Sequence, residues 1–592
     1  MIKRTHVCGT LTPDDIGTEV VLSGWVQRRR DHGGLIFIDF RDRSGLVQIV
    51  FNDDFSHKAF EIAQTLRPEY VITVKGTVVA RTPETINEEL ATGTLEVQVH
   101  DVWILSTAKT LPFMIDDEQH VDEEIRLTYR YLDLRRPGVK ERFRLRSAIV
   151  FAIREFLINQ GFYDIETPIL SRQTAEGARE FLVPSRLQKE HVYALPQSPQ
   201  LYKQILMGAG FERYFQIARC FRDEDLRADR QTEFTQLDLE MSFVDEADIQ
   251  KLIEKLLVYV IKKSLGKEIT TPFERMTYQT AIASYGTDKP DTRFDMRIHD
   301  ITSIFEDTEL SFLKNVIERD GKIGAIQIKD ENFSRSQLDE WVKKAQECGA
   351  KGMLWIRLND QLEVESPTAK FLPPDMVDRL QGVFGSVKAS DTFFIIAGPY
   401  VDAWNQLGRL RLMLGDELNK IDESVLSFLW VTDFPLLEWD EEAKRWSAAH
   451  HPFTSPQESW EESKPESIKA RAYDLVVNGI ELGGGSIRIH TPEMQRKVFE
   501  LLGFDEETMQ KHFDFFLEAL AFGFPPHGGI ALGIDRLVMV LLGCQSIRDI
   551  IAFPKTQSGY DPLMRAPTKV EQSQLTEYGL APLKKPAKQK AK

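Results

Sequence analysis

The sequence predicts an α+β protein of several domains: a small β-barrel, then an antiparallel-sheet domain interrupted by an α/β insertion. Three observations predict it. Five short β-rich runs fill residues 19–105. Two alternating strands flank a charged loop within 213–243. Between residues 290 and 421 the texture changes, and afterwards it reverts. The length, 592 residues, allows more than one hydrophobic core.

Each element follows in order. "EVVLSGWVQRRRDHGGLIFIDFRDRSGLVQIVF" (19–51) holds β-rich runs broken at Gly33-Gly34 and Ser44-Gly45. "EYVITVKGTVVAR" and "TLEVQVHDVWIL" add further strands. Short strands in so small a span close best as a barrel of the OB type, assigned to residues 1–107. A linker is expected over 108–140. "ERFRLRSAIVFAIREFLINQGF" has apolar residues at helical spacing and Gly161 as a stop, so a helix opens the next domain, 141–289. "YDIETPIL" reads as a strand whose Pro168 suits an edge or an interface. Residues 175–243 read as strand-rich and 246–265 as a helix. "KIGAIQIK", "KGMLWIRL" and "DTFFIIAG" mark the inserted domain, 290–421. The interrupted domain resumes over 422–557, and 558–592 is an extension ending in a basic, mobile "LKKPAKQKAK".

Composition sets limits. With 42% hydrophobic and 28% charged residues the chain reads as soluble and globular, and no apolar run is long enough to span a membrane. The N-terminus lacks the apolar core of a signal peptide. Cys8, Cys220, Cys348 and Cys544 form no CxxC pair, which argues against a disulfide framework or a zinc site and for a reducing cytoplasm. The net charge of −17 means that any nucleic-acid contact must rest on a local basic patch.

The stretch "QIARCFRDEDLRADRQTEFTQLDLEMSF" (216–243) raises the functional question. Phe215 and Ile217 alternate with Gln216 and Ala218. Leu237, Leu239, Met241 and Phe243 alternate with Gln236, Asp238, Glu240 and Ser242. That is an antiparallel hairpin with one polar face. A solvated face is the ordinary explanation. The loop is long for a hairpin, however, and carries Arg222, Arg227 and Arg230, whose planar forks suit phosphate.

"CFRDEDLRADRQTEFTQLDLE" resembles the second signature motif of the class II aminoacyl-tRNA synthetases. "NQGFYDIETPIL" resembles the first and "GGIALGIDRLVMVLLG" (528–543) the third. The likeness spans nearly the whole chain and is strongest to the bacterial aspartyl branch. It implies a class II antiparallel-sheet catalytic domain and an aspartate–tRNA ligase reaction. Aspartate would attack the α-phosphate of ATP, and the adenylate would then pass its aspartyl group to the 3′ end of tRNA-Asp. Neither step needs a covalent enzyme intermediate, so catalysis would be positioning and charge stabilisation.

The resemblance implies residue roles. Arg222, Glu481 and Arg536 would be catalytic, Arg222 on the α-phosphate. ATP would meet Arg222, Asp223, Glu224, Gln231, Glu481, Gly533, Ile534, Asp535 and Arg536. A helix begins near Ile534, and Asp535 is placed to cap it. Gly528, Gly529, Gly533 and Gly483–Gly485 would admit substrate close to the backbone. Asp474 and Glu481 would hold Mg²⁺ together with phosphate oxygens. Aspartate would meet Glu176, Ser198, Gln200, Lys203, Arg222, Asp238, His450 and Arg488. Arg488 and Lys203 would receive its side-chain carboxylate, and Asp238 would face its α-amino group. Gly177 would hinge the loop bearing Glu176. Asp288, Lys289 and Asp291 are assigned to the same pocket, and His451 reads as structural.

The barrel would bind the anticodon through Arg28, Arg30, His32, Phe37 and Gln48. Arginine and an aromatic together suit stacked bases; filling the barrel core is the other reading of Phe37. A histidine at position 32 resembles enzymes that accept tRNA-Asn as well as tRNA-Asp. A cytoplasmic homodimer completes the expectation. Lys203 with Arg488 speaks against an asparaginyl or lysyl enzyme. Retention of Arg222, Glu481 and Arg536 speaks against a non-catalytic RNA-binding relative.

Overall fold

The computed structural model describes residues 2–174 and 178–581. The chain divides into two compact units, Met1–Pro137 and Gly138–Lys592.

In the first unit β1 (Glu19–Asp31), β2 (Leu35–Arg41), β3 (Leu46–Asn52), β4 (Val71–Ala80) and β5 (Leu95–Ser106) close into a barrel of order β1-β2-β3-β5-β4. Closure leaves no free sheet edge. Strand alternation sends Ile36, Ile38 and Phe40 into the core, so Phe37 and Asp39 lie on the outer face. The helix His57–Thr65, capped by the Ser56 side chain, buries Ala59 and Ala63 against the same core.

The second unit begins with the helix Pro137–Asn159, which ends before Gly161 in the left-handed conformation (φ +82°). β6 (Tyr163–Asp164) follows, then the small hairpin β7 (Leu182–Pro184) and β8 (Val192–Ala194). The long hairpin β9 (Arg213–Phe221) and β10 (Glu233–Ser242) comes next, then β11 (Glu274–Thr277). An inserted sheet holds β12 (Ile298–Asp300), β13 (Lys322–Ile328), β14 (Leu354–Leu358), β15 (Val364–Glu365) and β16 (Thr392–Gly398). β17 (Phe428–Thr432), the hairpin β18 (Leu437–Asp440) and β19 (Arg445–Ala448), β20 (Ala472–Val477), β21 (Ile480–Ile487) and β22 (His527–Gly533) complete the chain's strands among the described residues.

The main sheet has eight strands in the order β11-β17-β20-β21-β22-β10-β9-β6. Only its outer pairs, β11 with β17 and β6 with β9, run parallel. The hairpin registers Gln216 with Asp238 and Ala218 with Gln236. Leu237, Leu239 and Met241 therefore point into a core formed with the helices Pro137–Asn159 and Glu246–Leu265. The second helix starts at a reciprocal Asp245–Asp248 cap and stops at Gly266 (φ +67°). Asp238 and Glu240 occupy the opposite face, and both are fully buried.

The insertion is a separate sheet of order β12-β13-β16-β14-β15, with every pair antiparallel. Arg411, on the helix Tyr400–Glu417, ties it to its own entry segment. The guanidinium donates to the carbonyls of Asp291, Phe294 and Met296 and lies 3.9 Å from the Phe294 ring centre.

Two expectations change. The strand at "YDIETPIL" is only Tyr163–Asp164, and Pro168, without an N–H for a ladder, lies beyond it. The strand-rich stretch also contains a helix, Gln200–Gly208, whose buried Leu201, Gln204 and Met207 give it helical spacing. The basic tail at 583–592 lies outside the described residues.

Candidate active site

The polar face of β10 is the floor of an open cavity of about 590 Å³. Four charges meet there with almost no exposure. Lys203, brought in by the helix Gln200–Gly208, places Nζ 3.1 Å from Asp238 Oδ2 and 3.2 Å from Glu240 Oε2. Arg488, just past the end of β21, donates Nε to Glu240 Oε1 at 2.9 Å and Nη2 to Glu240 Oε2 at 3.2 Å. Isolated buried charges are costly, so the cluster holds only as a mutually paired set. Burial pushes the Asp238 carboxyl up to about 6, against the pull of Lys203. Burial would raise Glu240 too, but Arg488 and Lys203 hold it down at about 2.

A histidine pair caps this floor. His450 Nε2 lies 3.1 Å from Asp474 Oδ1. Burial opposes its charged form, yet Asp474 and Glu481 raise its pKa above the ordinary value. Burial likewise raises Asp474; His450 opposes this, while Glu481 and Asp288 add to it. Asp474, Glu481 and Asp288 thus gather negative charge on one wall of the cavity. Among the described residues no group of three or more His, Cys, Asp or Glu side chains forms a ready metal cage.

A second wall, rich in arginine, comes from the β9–β10 loop and the helix Ile534–Leu541. Arg222 stands over the Phe234 ring at 5.2 Å, and its Nε is buried without a hydrogen-bond partner. Arg536 Nη1 donates to the Glu481 carbonyl at 2.9 Å, and its Nη2 lies 3.2 Å from Asp229 Oδ2. Arg230 donates to Glu224 at 3.1 Å. Gln231 lines the cavity, but its amide is engaged at both ends by the backbone of Lys555, at 2.9 and 3.1 Å.

The cavity brings together Ser198, Gln200, Lys203, Arg222, Glu224, Gln231, Asp238, His450, Asp474, Glu481, Arg488, Gly533, Asp535 and Arg536. Asp223 and Ile534 are not on its wall: the Asp223 backbone N–H donates to Arg179, and Ile534 is core. Glu176 and Gly177 lie outside the described residues. Asp288 lines the cavity, whereas Asp291 is paired with Arg293 at 2.7 Å.

Asp535 does not cap its helix: Gly533 is the N-cap, and no side chain caps it. The Asp535 carboxylate instead accepts the Thr235 N–H at 2.8 Å and faces Arg146 at 2.6 Å, fastening β10 to two helices. Gly483–Gly485 and Gly533 line the cavity, but at most of the glycines the space left by the missing side chain is taken by protein atoms. A Cβ at Gly483 would sit 1.9 Å from the Ala531 carbonyl, and one at Gly485 would sit 2.2 Å from that of Gly529. At Gly484 it would strike Asp474 Oδ1 at 2.5 Å, and at Gly529 it would strike Glu240 Oε2 at 2.0 Å. These glycines make room for neighbouring strands and for the buried carboxylates.

Glu240 and Gln197 were not among the expected site residues, and His451 was read as structural. Glu240 carries both buried cations, and its position on the polar face of β10 was the available signal. His451 lies 2.6 Å from Arg488 Nη1. Gln197 clamps the backbone of Ala178 with both ends of its amide, at 2.8 and 3.0 Å.

On the barrel's outer face Phe37 is half-buried and meets His32 edge to face at 5.8 Å. His32 is exposed in the β1–β2 turn. Arg30 is paired in two bonds with Asp39, at 2.8 and 2.6 Å, and reaches Gln48 Oε1 at 3.3 Å. Gln48 donates to Glu96. Arg29 pairs with Asp31, so the basic patch is partly neutralised, while Arg28 is exposed.

Comparison with known proteins agrees with this geometry. Residues 122–557 match the family described as tRNA synthetases class II (D, K and N), and residues 20–105 match an OB-fold nucleic acid binding domain. The chain is 50% identical over 587 residues to an aspartate–tRNA ligase of Staphylococcus aureus, covering 98% of this chain and 99% of that one. It is 48% identical over 584 residues to an aspartate–tRNA(Asp/Asn) ligase of Thermoanaerobacter pseudethanolicus, covering 97% and 98%. The solved asparaginyl-tRNA synthetase of Pyrococcus horikoshii complexed with asparaginyl-adenylate shares the fold at 21% identity and a TM-score of 0.60, covering 94% of this chain and 99% of that one. An aspartyl-tRNA synthetase of Entamoeba histolytica does so at 21% and 0.56, covering 92% and 89%.

Proposed function

The chain belongs to the class II tRNA synthetases of the D, K and N group, and from that membership we propose that it is an aspartate–tRNA ligase. The observation that carries the amino-acid assignment is the pair of buried cations, Lys203 and Arg488, on the cavity floor. Asp238 and Glu240 balance these cations in the free pocket, so once Asp238 faces the substrate ammonium a side-chain carboxylate restores the balance where a neutral amide does not, and the floor selects aspartate over asparagine. Asp238 is the counter-charge for the substrate ammonium, with Ser198 and Gln200 beside it. His450 completes the pocket.

The first step joins the aspartate α-carboxylate oxygen to the α-phosphorus of ATP and releases pyrophosphate. Arg222 supports this role, because its buried Nε lacks a protein partner and a guanidinium meets developing phosphate charge with two donors. Arg536 serves the distal phosphates from the helix start, and Glu224 the adenine. In the second step the terminal 3′-hydroxyl of tRNA attacks the aspartyl carbonyl and AMP leaves. Asp474 and Glu481 fit a Mg²⁺ ion that takes its remaining ligands from phosphate and water, since the cavity wall there carries surplus negative charge. When bound, the ion would offset phosphate charge.

The outer face of the barrel, with Phe37, His32 and Arg28, is the proposed anticodon surface. His32 supports a second reading, in which tRNA-Asn is charged as well as tRNA-Asp. Exposed apolar side chains on and after the helix Pro137–Asn159, among them Phe151, Ile158, Tyr163, Ile169, Leu170 and Phe211, support a homodimer, and the proposed setting is the cytoplasm. No helix among the described residues is long and apolar enough to cross a membrane.

Aspartate-dependent pyrophosphate exchange, followed by charging of tRNA-Asp and tRNA-Asn side by side, tests the proposal. Arg222→Ala should lower exchange by about 100-fold or more while tRNA binding persists. Exchange driven equally by asparagine, or unaltered in the variant, would overturn the assignment.

A further inference from the structure

Arg488 is held from two sides. Glu240 takes Nε and one Nη2 hydrogen. On the other edge, Nη1 reaches both Ser486 Oγ and His451 Nε2. An arginine N–H can only donate, so at 2.6 Å the His451 Nε2 must offer its lone pair. At the other ring nitrogen, Nδ1 accepts the Phe453 N–H at 3.2 Å and lies 3.3 Å from Thr454 Oγ1. A protonated His451 would set two donors and two positive charges against each other, and the ring is accordingly neutral in this arrangement.

The ring itself cannot turn away. His451 lies on Phe453 at 5.8 Å and beside His450 at 6.5 Å. The segment is sewn to the substrate strand, because Thr454 bridges Arg488, the Ile489 N–H donates to Phe453, and Thr454 Oγ1 meets Ser486 Oγ. Of the five N–H groups of Arg488, four have protein partners, and one on Nη2 is left for a ligand. The direction of that last donor is fixed by what holds the other four.

We propose that His451, through the Nε2 lone pair that meets Arg488 Nη1, is a positioning residue that aims the Arg488 guanidinium at the substrate's side-chain carboxylate. The inference rests on the assignment of Arg488 as the receiver of that carboxylate. His451 lines the cavity beside Arg488, and its proposed work is done through the guanidinium. Its effect reaches the aspartate site and not the phosphate wall, which Arg222 and Arg536 form from other elements.

The test is pyrophosphate exchange by the full-length enzyme with aspartate and ATP varied separately, for His451→Leu, His451→Gln and Arg488→Lys. The Leu variant keeps the bulk and loses the acceptor. The Gln variant restores an acceptor, Oε1, near the place of Nε2. We expect His451→Leu to raise KM for aspartate about tenfold or more with KM for ATP within twofold, and His451→Gln to recover most of that loss. Should the Leu variant not fold, the Gln variant alone is expected to show a KM for aspartate within about threefold of the parent, and a His451→Asn variant, whose shorter amide does not reach Arg488, the full loss. Unchanged KM for aspartate in the Leu or Asn variant, or equal rises for both substrates, overturns the inference. Arg488→Lys separates the two readings. If it leaves KM for aspartate unaltered, the Arg488 assignment fails. If it raises that KM while His451→Leu does not, only the role of His451 fails.

Discussion

The charged floor of the cavity depends on a side chain that is absent. Gly529 lies on β22 opposite Glu240, and its missing Cβ leaves room for the Glu240 carboxylate and the Leu239 carbonyl. A Cβ there would meet the carbonyl at 2.1 Å, and that backbone belongs to the paired strand and cannot retreat cheaply. Gly529→Ala is therefore expected to destabilise the protein by about 3 kcal/mol and to lower aspartate activation. Gly533→Ala provides the contrast, because its nearest neighbour would be 3.4 Å away and its φ of −68° suits any residue. Thermal unfolding of the two variants checks both statements, and an equal loss in each would refute the packing argument. The sequence revealed that these positions lack side chains but not which atoms fill the space. Site residues such as Lys203, Asp238 and Arg488 were legible through motif resemblance. Their pairing was not, since Glu240 and Arg488 are 248 residues apart and nothing in the alternation of β10 names a distant partner. His451 was read as structural for the same reason: its meaning lies in a contact 37 residues away.

At the scale of elements, the local patterns were strongly legible. The helix Glu246–Leu265 carries its own start and stop, Asp245 with Asp248 and then Gly266. The β9–β10 hairpin announces itself by alternation. What the patterns lacked was the support of the loop between those strands. That loop holds only a tight turn bridged between Arg227 and Arg230 and is held by a distant segment: Gln231 grips the Lys555 backbone, Lys555 Nζ pairs with Glu233 at 2.6 Å, and the Ala228 carbonyl accepts the Ile547 N–H at 3.0 Å. The Gln231 amide is thus spent on holding the loop, which suggests that it serves ATP by placing Arg222, Glu224 and Arg230. Gln231→Ala should speed amide hydrogen exchange over 224–231 without any ligand present and raise KM for ATP more than KM for aspartate. Exchange rates identical to the parent in the ligand-free protein would return Gln231 to a direct role at the nucleotide.

On the scale of the whole molecule, an acidic chain with a net charge of −17 must recognise a polyanion. The proposed anticodon surface of its barrel would answer with contacts that depend little on net charge. Arg29 and Arg30 are already paired with Asp31 and Asp39, so they bring donors and flat surfaces more than free positive charge. Phe37, placed outside the core by strand alternation, offers a face on which a base can stack, with His32 at its edge. The chemistry belongs to the second unit, more than a hundred residues further along the chain. Recognition and activation should therefore separate under mutation. Stacking of one base on an aromatic is worth about 1–3 kcal/mol, so Phe37→Ala should lower kcat/KM for tRNA by roughly ten- to a hundredfold. Pyrophosphate exchange, which needs no tRNA in the proposed first step, should stay at the parent level. Loss of both activities together would mean that the barrel shapes the catalytic unit. Loss of neither would place anticodon recognition on another face of the barrel.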